Sequence, residues 1–392
     1  MKHFFTLLFL SCALTAFAED EAFIQGDAWS LQDAVTKALT GGRNNNDSND
    51  SVAPRWKRAE WVTVPKFGGY IVGSYKYDSA DDDRNEGFGL RFARVYVDGS
   101  ILRDFNYRVQ VDFAGSPRVL DAYLEWARYK FVTVKAGEFK RCFTLENPMN
   151  PWDICYGDYS QLSKKFAGFG DRVGESSMGG RDLGAQVAGD LFKSRRDGHY
   201  QFRYQFGVYN GQGINQKDLD GKKDWIGTLQ YSPVKNLRLA VFGWWGNYVM
   251  KGVGSVDRHR WAASVGYEGT NYQAGDFWGR VSFRAEYAQS YGYKFSQGAD
   301  GAYFINTAAG NKADAWYIMV GAPLWRWIKG SLKWDVYRDD ASWDTEHSIY
   351  SAALMLQPHK NLMLQLQYNY HHDLTEAVTD YHQFWTQLYV RF

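Results

Sequence analysis

The 392-residue sequence is poor in cysteine and proline and has almost no excess of charge. It contains 3 Cys and 8 Pro, and 45 Lys and Arg face 44 Asp and Glu, which gives a formal net charge of +1. Proteins that bind nucleic-acid backbones carry a basic excess, so this balance argues against a nucleic-acid partner. Beyond the N-terminus no run reaches the roughly 18 apolar residues of a membrane-spanning helix, which excludes helical spans.

An export signal is predicted at the N-terminus. Lys2 precedes an apolar run from Phe4 to Phe17, and Ala16-Phe17-Ala18 provides a small-residue cleavage site. We therefore expect residues 1–18 to be removed as a signal peptide. Residues 19–65 are interpreted as a periplasmic lead-in with a short helix and a polar linker.

Aromatic residues are abundant in the sequence. It has 16 Trp, 27 Tyr and 25 Phe, while 23% of its residues are charged. From Lys66 onward, apolar and polar residues alternate in segments of about ten, the length that a tilted strand needs to cross a bilayer. Phe105 to Phe113 and Leu362 to Tyr370 show the alternation most clearly. One face of such strands suits lipid and the other suits water, as in a transmembrane β-barrel with aromatic girdles.

The alternating segments predict the number of strands and the rims at which they connect. Connections such as Tyr129 to Lys130 are short on one side, and connections such as 140–180 are long on the other, which is typical of bacterial outer-membrane barrels. We predict an all-β fold, a transmembrane antiparallel β-barrel of about 16 strands over residues 66–392, with a short N-terminal periplasmic segment. The predicted strands are 66–77, 87–98, 104–113, 119–128, 131–139, 181–189, 199–209, 222–231, 236–249, 258–268, 277–291, 314–322, 325–338, 346–357, 360–371 and 381–392.

Short motifs on both sides of the long connection resemble the phosphate-selective porin O and P family. They are Gly137-Glu138-Phe139-Lys140-Arg141, Phe143-Thr144-Leu145-Glu146-Asn147-Pro148, Gly180-Arg181-Asp182-Leu183-Gly184 and Gly189-Asp190-Leu191-Phe192. The resemblance implies a porin of the bacterial outer membrane, surrounded by lipid and lipopolysaccharide and usually assembled as a homotrimer. It also implies that residues 140–180 fold inward as a constriction loop.

The resemblance further implies a row of basic side chains that favours anions such as phosphate, because arginine forks fit phosphate oxygens. Doubled arginines are frequent on the second strand of the family, whereas here Arg91 and Arg94 face opposite sides unless a bulge intervenes. Acidic residues such as Asp112 and Glu286 also occupy the alternate strand positions that face the lumen. The alternative is therefore that the basic residues are ordinary lumen charges without anion selectivity. The candidate pore-lining and anion-binding residues are Arg91, Arg108, Lys135, Lys140, Arg141, Arg172, Arg181, Arg203, Arg280 and Arg284.

Two cysteines, Cys142 and Cys155, lie within residues 140–180. In an oxidising periplasmic or surface compartment a pair at this spacing closes a short loop, worth about 3 kcal/mol. We expect a disulfide here, with two unpaired thiols as the alternative. No further Cys or His lies in the same stretch, so no zinc site is predicted.

The sequence predicts no catalytic or cofactor motif. The sequence has no nucleophile elbow and no HExxH spacing, so we expect neither an enzyme nor a metal or other cofactor. The predicted function is passive diffusion of small solutes or anions. The alternatives are a surface enzyme or adhesin built on a barrel, and an exported soluble β-sandwich that binds a ligand.

Overall fold

The computed structural model describes residues 63–80, 85–168, 179–250, 254–269, 277, 279–292, 295–297, 303–305 and 312–392. Sixteen strands close into one antiparallel barrel, in which the first strand pairs with the last. The predicted fold class is therefore confirmed. The predicted signal peptide and nearly all of the lead-in lie outside the described residues. Within those residues, no helix is long and apolar enough to cross a membrane.

The observed strands agree with the predicted ones to within five residues at each end. Two short strands, β12 (Phe295–Gln297) and β13 (Tyr303–Ile305), pair with each other apart from the barrel and were not predicted. The barrel strands are β1 (Lys66–Asp78), β2 (Glu86–Ile101), β3 (Phe105–Asp112), β4 (Arg118–Tyr129), β5 (Val132–Lys140), β6 (Arg181–Lys193), β7 (Tyr200–Tyr209), β8 (Asp224–Tyr231), β9 (Leu237–Met250), β10 (Gly254–Glu268), β11 (Ser282–Tyr291), β14 (Lys312–Trp325), β15 (Ile328–Arg338), β16 (Glu346–His359), β17 (Leu362–Asp373) and β18 (Asp380–Arg391).

The two faces of the strands have different chemistry, as the alternation predicts. On β17 the side chains of Gln365 and Gln367 are buried in the lumen, whereas Tyr370 faces outward. Outward rings on neighbouring strands contact one another: the centroids of Trp334 and Tyr350 are 6.3 Å apart, and those of Tyr350 and Tyr370 are 6.1 Å apart. These rings form part of an aromatic belt near the end of the barrel that carries the long connections.

A β-bulge on β2 settles the orientation of its two arginines. Val72 of β1 pairs with Phe92, but the next residue, Gly73, pairs with Leu90, so that Arg91 is the extra residue of the bulge. Because a bulge reverses the facing of the residues beyond it, Arg91 and Arg94 both lie on the lumen side.

The connection between β5 and β6, residues 141–180, is called L3, and the structure describes 141–168 and 179–180 of it. The described part of L3 contains one short helix, α1 (Gln161–Phe166), whose N-cap Ser160 accepts a hydrogen bond from the amide of Ser163 at 3.2 Å. Apolar side chains of L3 pack inside the barrel: the ring centroids of Phe143 and Trp244 are 5.3 Å apart. The hydrophobic core therefore lies in the lumen, between L3 and the wall.

Candidate functional site: the barrel lumen

L3 is held to the wall by a buried carboxylate of β11. Glu286, 2% exposed, accepts hydrogen bonds from the amides of Leu145 and Glu146 at 2.7 and 3.0 Å. The hydroxyls of Ser264 and Tyr317 donate to the same carboxylate at 2.5 and 2.7 Å. A buried carboxylate with this many donors fixes the start of L3 against the wall, because leaving such groups unpaired costs free energy.

Arg284, two residues before Glu286 on the same face of β11, is a second anchor of L3. Its guanidinium donates to the carbonyl of Ile154 at 2.7 Å and lies 2.8 Å from the carboxylate of Glu268. Arg284 faces the lumen as predicted, but it is completely buried beneath L3. It therefore does not line the open passage, which corrects the prediction.

The far end of L3 is anchored to strands β15 and β17. The carboxylate of Asp335 accepts a hydrogen bond from the amide of Gln161, the first residue of α1, at 3.0 Å. The side-chain oxygen of Gln367 accepts a hydrogen bond from the amide of Gly157 at 2.7 Å. These carboxylate, arginine and amide anchors of L3 all lie on the half of the lumen formed by β8 to β18.

The other half of the lumen, formed by β1 to β7, retains a polar cavity of about 370 Å³ between the wall and L3. Residues 148–151 of L3 form one side of this cavity. Its basic lining residues are Arg94, Arg108, Lys135, Lys140, Arg141, Arg181 and Arg203. Six of the predicted pore-lining residues are therefore brought together around an open space, namely Arg108, Lys135, Lys140, Arg141, Arg181 and Arg203.

In the middle of the cavity wall, the arginines are buried and bonded to carboxylates. Arg94 lies 2.7 Å from Asp112, the residue directly opposite it on β3. Arg181 bonds both oxygens of Asp121, at 2.8 and 3.0 Å. Removing one member of such a pair leaves a buried charge without its partner, which is strongly destabilising.

Nearer the short connections, three half-exposed ion pairs form what we call the charge arc. In each pair the acid is on an even strand and the base lies directly opposite on the next strand. The pairs are Asp98–Arg108 at 2.6 Å, Glu125–Lys135 at 3.2 Å and Asp190–Arg203 at 2.8 Å. Because β2 to β7 are consecutive in the barrel, negative and positive side chains alternate along six neighbouring strands.

The acids of the charge arc were missed by the sequence analysis. Asp98 and Arg108 stand at equal distances from the observed turn between Ile101 and Phe105, and Glu125 and Lys135 flank the next short turn at nearly equal distances. Equal spacing from a tight turn indicates opposite positions in a hairpin. The predicted turn, 99–103, is centred two residues before the observed one, so the sequence pattern alone does not pair Asp98 with Arg108.

Lys140 differs from the other basic residues of the cavity. Its ammonium group donates to the carbonyls of Asn147 and Met149 at 2.8 and 2.6 Å and to the hydroxyl of Tyr159 at 3.2 Å. Three acceptors match the three donors of an ammonium group. No carboxylate in the described part of the chain forms an ion pair with it, so its positive charge is not compensated by contact.

Arg91 connects the wall to L3. It donates to the side-chain oxygen of Gln387 at 3.0 Å and lies 3.4 Å from the carboxylate of Asp158 in L3. Desolvation raises the pKa of Asp158, but Lys164 and Arg91 lower it more, so this pKa lies below its ordinary value. Asp158 is therefore a carboxylate at neutral pH and holds Arg91 in place.

The remaining predicted basic residues do not line the cavity as free charges. Arg141 lines it but is completely buried, with its guanidinium 4.9 Å from the ring of Trp244 and 3.5 Å from Asp182. Arg280 precedes β11, which begins five residues later than its strand was predicted to begin, so strand parity does not apply to it. It donates instead to backbone carbonyls at the β14–β15 connection. Arg172 lies outside the described residues.

The predicted disulfide is not formed. Cys142 and Cys155 are both free and buried. Cys142 lies beside the hydroxyl of Tyr209, 3.7 Å from its Sγ, whereas the backbone of Cys155 accepts a hydrogen bond from Gln365 on β17. The two thiols are separated because L3 crosses the lumen between them and each faces a different part of the wall. Burial raises the pKa of the Cys142 thiol, which keeps it protonated.

No set of three or more His, Cys, Asp or Glu side chains in the described ranges is arranged to hold a metal ion. The lumen offers hydrogen-bonding and charged groups beside a passage, rather than a closed pocket around a reacting group. This arrangement suits the movement of solutes.

Comparison with known proteins agrees with this geometry. The model of the family described as phosphate-selective porin O and P matches residues 68–241, which confirms the resemblance. The chain is an outer-membrane porin. The matched residues include β1 to β8, the whole wall of the open cavity, and L3. No curated protein matches this porin.

Solved structures with the same fold are bacterial outer-membrane proteins. The anion-selective porin from Comamonas acidovorans is 12% identical, with a TM-score of 0.61, covering 84% of this chain and 100% of that one. The outer membrane channel DcaP of Acinetobacter baumannii is 11% identical, with a TM-score of 0.59, covering 85% and 98%. The trimer form of OmpT of Vibrio cholerae is 14% identical, with a TM-score of 0.51, covering 85% and 100%. At these identities the likeness shows the fold alone.

Proposed function

We propose that this porin allows passive diffusion of small solutes through the passage between L3 and strands β1 to β7, with a weak preference for anions. The observation that carries the proposal is the balance of charge around the cavity. Seven basic side chains line it, and six of them have a carboxylate within 4 Å. Charges in contact cancel at longer range, and the ammonium form of Lys140 has three neutral acceptors and no carboxylate partner among the described residues, so we assign the weak preference to this form.

A strong preference for phosphate does not follow from this lining. An arginine binds phosphate best when both of its parallel N–H groups are available. In Arg108 and Arg181 these groups already bond both oxygens of a carboxylate. The family description and the printed name of the Comamonas porin support a preference for anions in general, and Lys140 supplies a physical basis for it.

We also propose that the porin assembles as a homotrimer surrounded by lipid and lipopolysaccharide and has no catalytic activity. The family resemblance supports the trimer, as does the trimer form recorded for the OmpT structure. The family and the fold both favour a channel over an enzyme.

The test is single-channel recording of the detergent-purified porin in planar bilayers, with reversal potentials measured in gradients of potassium chloride and potassium phosphate. We expect discrete steps, a modest preference for anions and no special affinity for phosphate. Lys140→Gln, which keeps hydrogen-bond donors but removes the charge, should bring the reversal potential close to zero. Lys130→Met, in the exposed β4–β5 turn, is the matched control and should change nothing.

Two outcomes would count against the proposal. A folded, heat-modifiable barrel that gives no conductance would remove the channel function. A current blocked by low concentrations of phosphate would replace weak anion preference with specific phosphate binding.

A further inference from the structure

The charge arc has an accessibility that the other ion pairs of the cavity lack. The side chains of Asp98 and Arg108 are 33% and 35% exposed, those of Glu125 and Lys135 are 25% and 21% exposed, and those of Asp190 and Arg203 are 25% and 41% exposed. The Arg94–Asp112 pair, farther along the lumen, is almost completely buried. The arc therefore meets the water-filled passage, whereas the buried pairs belong to the wall.

Exposed ion pairs exchange their partners easily. Their net strength is small, because water solvates each charge nearly as well as the partner does. A solute that enters the passage can therefore replace one contact of the arc with a contact of its own at little cost. The buried pairs cannot be opened in this way without leaving a desolvated charge.

The alternation of sign determines which solutes gain from such contacts. A simple anion attracted to Arg108 is repelled by Asp98 and by Glu125 on the two neighbouring strands. A solute with one positive and one negative group can place each group beside an opposite charge. Neighbouring strands are about 4.8 Å apart, a spacing that the ammonium and carboxylate groups of an amino acid or short peptide can span.

Aromatic rings hold two of the bases of the arc in place. The guanidinium of Arg108 lies 4.9 Å from the ring of Tyr96, and the ammonium of Lys135 lies 4.5 Å from the ring of Tyr123. These contacts position the positive groups independently of their acidic partners. The bases therefore stay in place when a solute engages the acids.

We propose that the charge arc is a binding subsite for zwitterionic solutes, the class of amino acids and short peptides, along the path of the porin. This inference rests on the proposed channel function and names a solute class for it. It concerns the exposed pairs near the short connections, whereas the weak preference for anions depends on Lys140.

The test compares two isomers, glycine and glycolamide, which have the same atoms but of which only glycine is zwitterionic. Their rates of entry are measured by swelling of liposomes that contain the porin. The main variant neutralises the three pairs together, with Asp98→Asn, Arg108→Gln, Glu125→Gln, Lys135→Gln, Asp190→Asn and Arg203→Gln, which leaves the net charge unchanged. If the sixfold variant does not fold, three variants that each neutralise a single pair are tested instead.

The control outside the lumen neutralises Asp314 and Arg338, a cross-strand pair at 2.7 Å that is more buried than the arc pairs and whose arginine lies over the rings of Trp316 and Trp343. We expect the ratio of glycine entry to glycolamide entry to be higher in the wild type and in this control than in the arc variants. Loss of one pair should lower the glycine-to-glycolamide ratio by up to about threefold, as expected for a weak exposed interaction.

The outcomes separate this inference from the channel function. An unchanged ratio in arc variants that conduct potassium chloride like the wild type would overturn the zwitterion subsite and leave the channel intact. Entry of neither isomer through a folded wild-type barrel, together with no conductance, would instead overturn the channel function. A lowered ratio in the arc variants alone would support the subsite.

Discussion

The two halves of the lumen use the same residue types in opposite ways. On β8 to β18, charged and amide side chains such as Arg284 and Glu286 are fully buried and bonded to the backbone of L3. On β2 to β7, the charge arc is half-exposed and its members are bonded to one another. The comparison shows that burial by L3, rather than residue type, decides whether a lumen charge supports the fold or meets the solute.

The largest effect should come from removing an anchor of L3. Glu286→Leu leaves the amides of Leu145 and Glu146 without an acceptor, so we expect the free energy of unfolding to fall by about 3 kcal/mol. L3 should also leave the wall, so the single-channel current should become larger and noisier. Urea-induced unfolding in vesicles and bilayer recording measure the two effects.

Glu125→Gln is the matched change on the open half, because it also removes one lumen carboxylate. Its ion pair with Lys135 is half-exposed, and we expect a change in unfolding free energy below about 1 kcal/mol. If both glutamate variants lose the same stability, the distinction between the two halves is wrong.

A smaller effect should follow from unbalancing one pair of the charge arc. Asp98→Asn leaves the positive charge of Arg108 uncompensated and should shift the reversal potential towards anions. Arg108→Gln leaves Asp98 and should shift it towards cations by a similar amount. Shifts of the same sign would show that these residues do not meet the permeating ions.

Beside the open half, the β6–β7 turn offers a pH-dependent contact. The His199 ring donates a hydrogen bond to the carboxylate of Asp197, which raises the pKa of His199, and the carbonyl of Ser232 raises it further. Because the folded-state pKa is raised, this contact stabilises the fold at low pH, and its contribution is lost as the pH rises through the raised pKa. NMR titration should show His199 above its ordinary value, and Asp197→Asn should lower it. An unchanged value in Asp197→Asn would contradict the contact.

The smallest effect is expected at the two thiols under L3. Because Cys142 and Cys155 are not bonded, reducing agent should leave the unfolding midpoint unchanged, and both thiols should react with a maleimide after denaturation without reduction. A disulfide in this loop would contribute about 3 kcal/mol, so its presence would be detected easily.

Strand positions could be predicted from the sequence because each barrel strand repeats a period of two over eight or more residues. α1 has six residues and β12 and β13 have three each, too few for a periodic pattern to emerge. The alternation also predicted correctly that the side chains of Arg108, Lys135 and Arg203 face the lumen. The alternation therefore predicts both the barrel architecture and which residues face inward.

The alternation of facing along a strand does not predict the register between strands or the long-range packing. Whether Arg108 meets an acid depends on the β2–β3 register, and the orientation of Arg91 depends on a bulge. The burial of Arg284 depends on L3, whose contacting residue Ile154 is 130 positions away along the chain. Such contacts form only in the closed structure, and no local sequence pattern around Arg284 predicts them.

The anchoring of L3 also has a consequence for the order of folding. Its acceptors Glu286, Asp335 and Gln367 are 140 to 210 residues farther along the chain than the amides they bind. Contacts at such separation form late, because the intervening chain must first be arranged. We therefore expect L3 to reach its place only after the later strands have formed, so that a newly assembled barrel is wider than the finished channel.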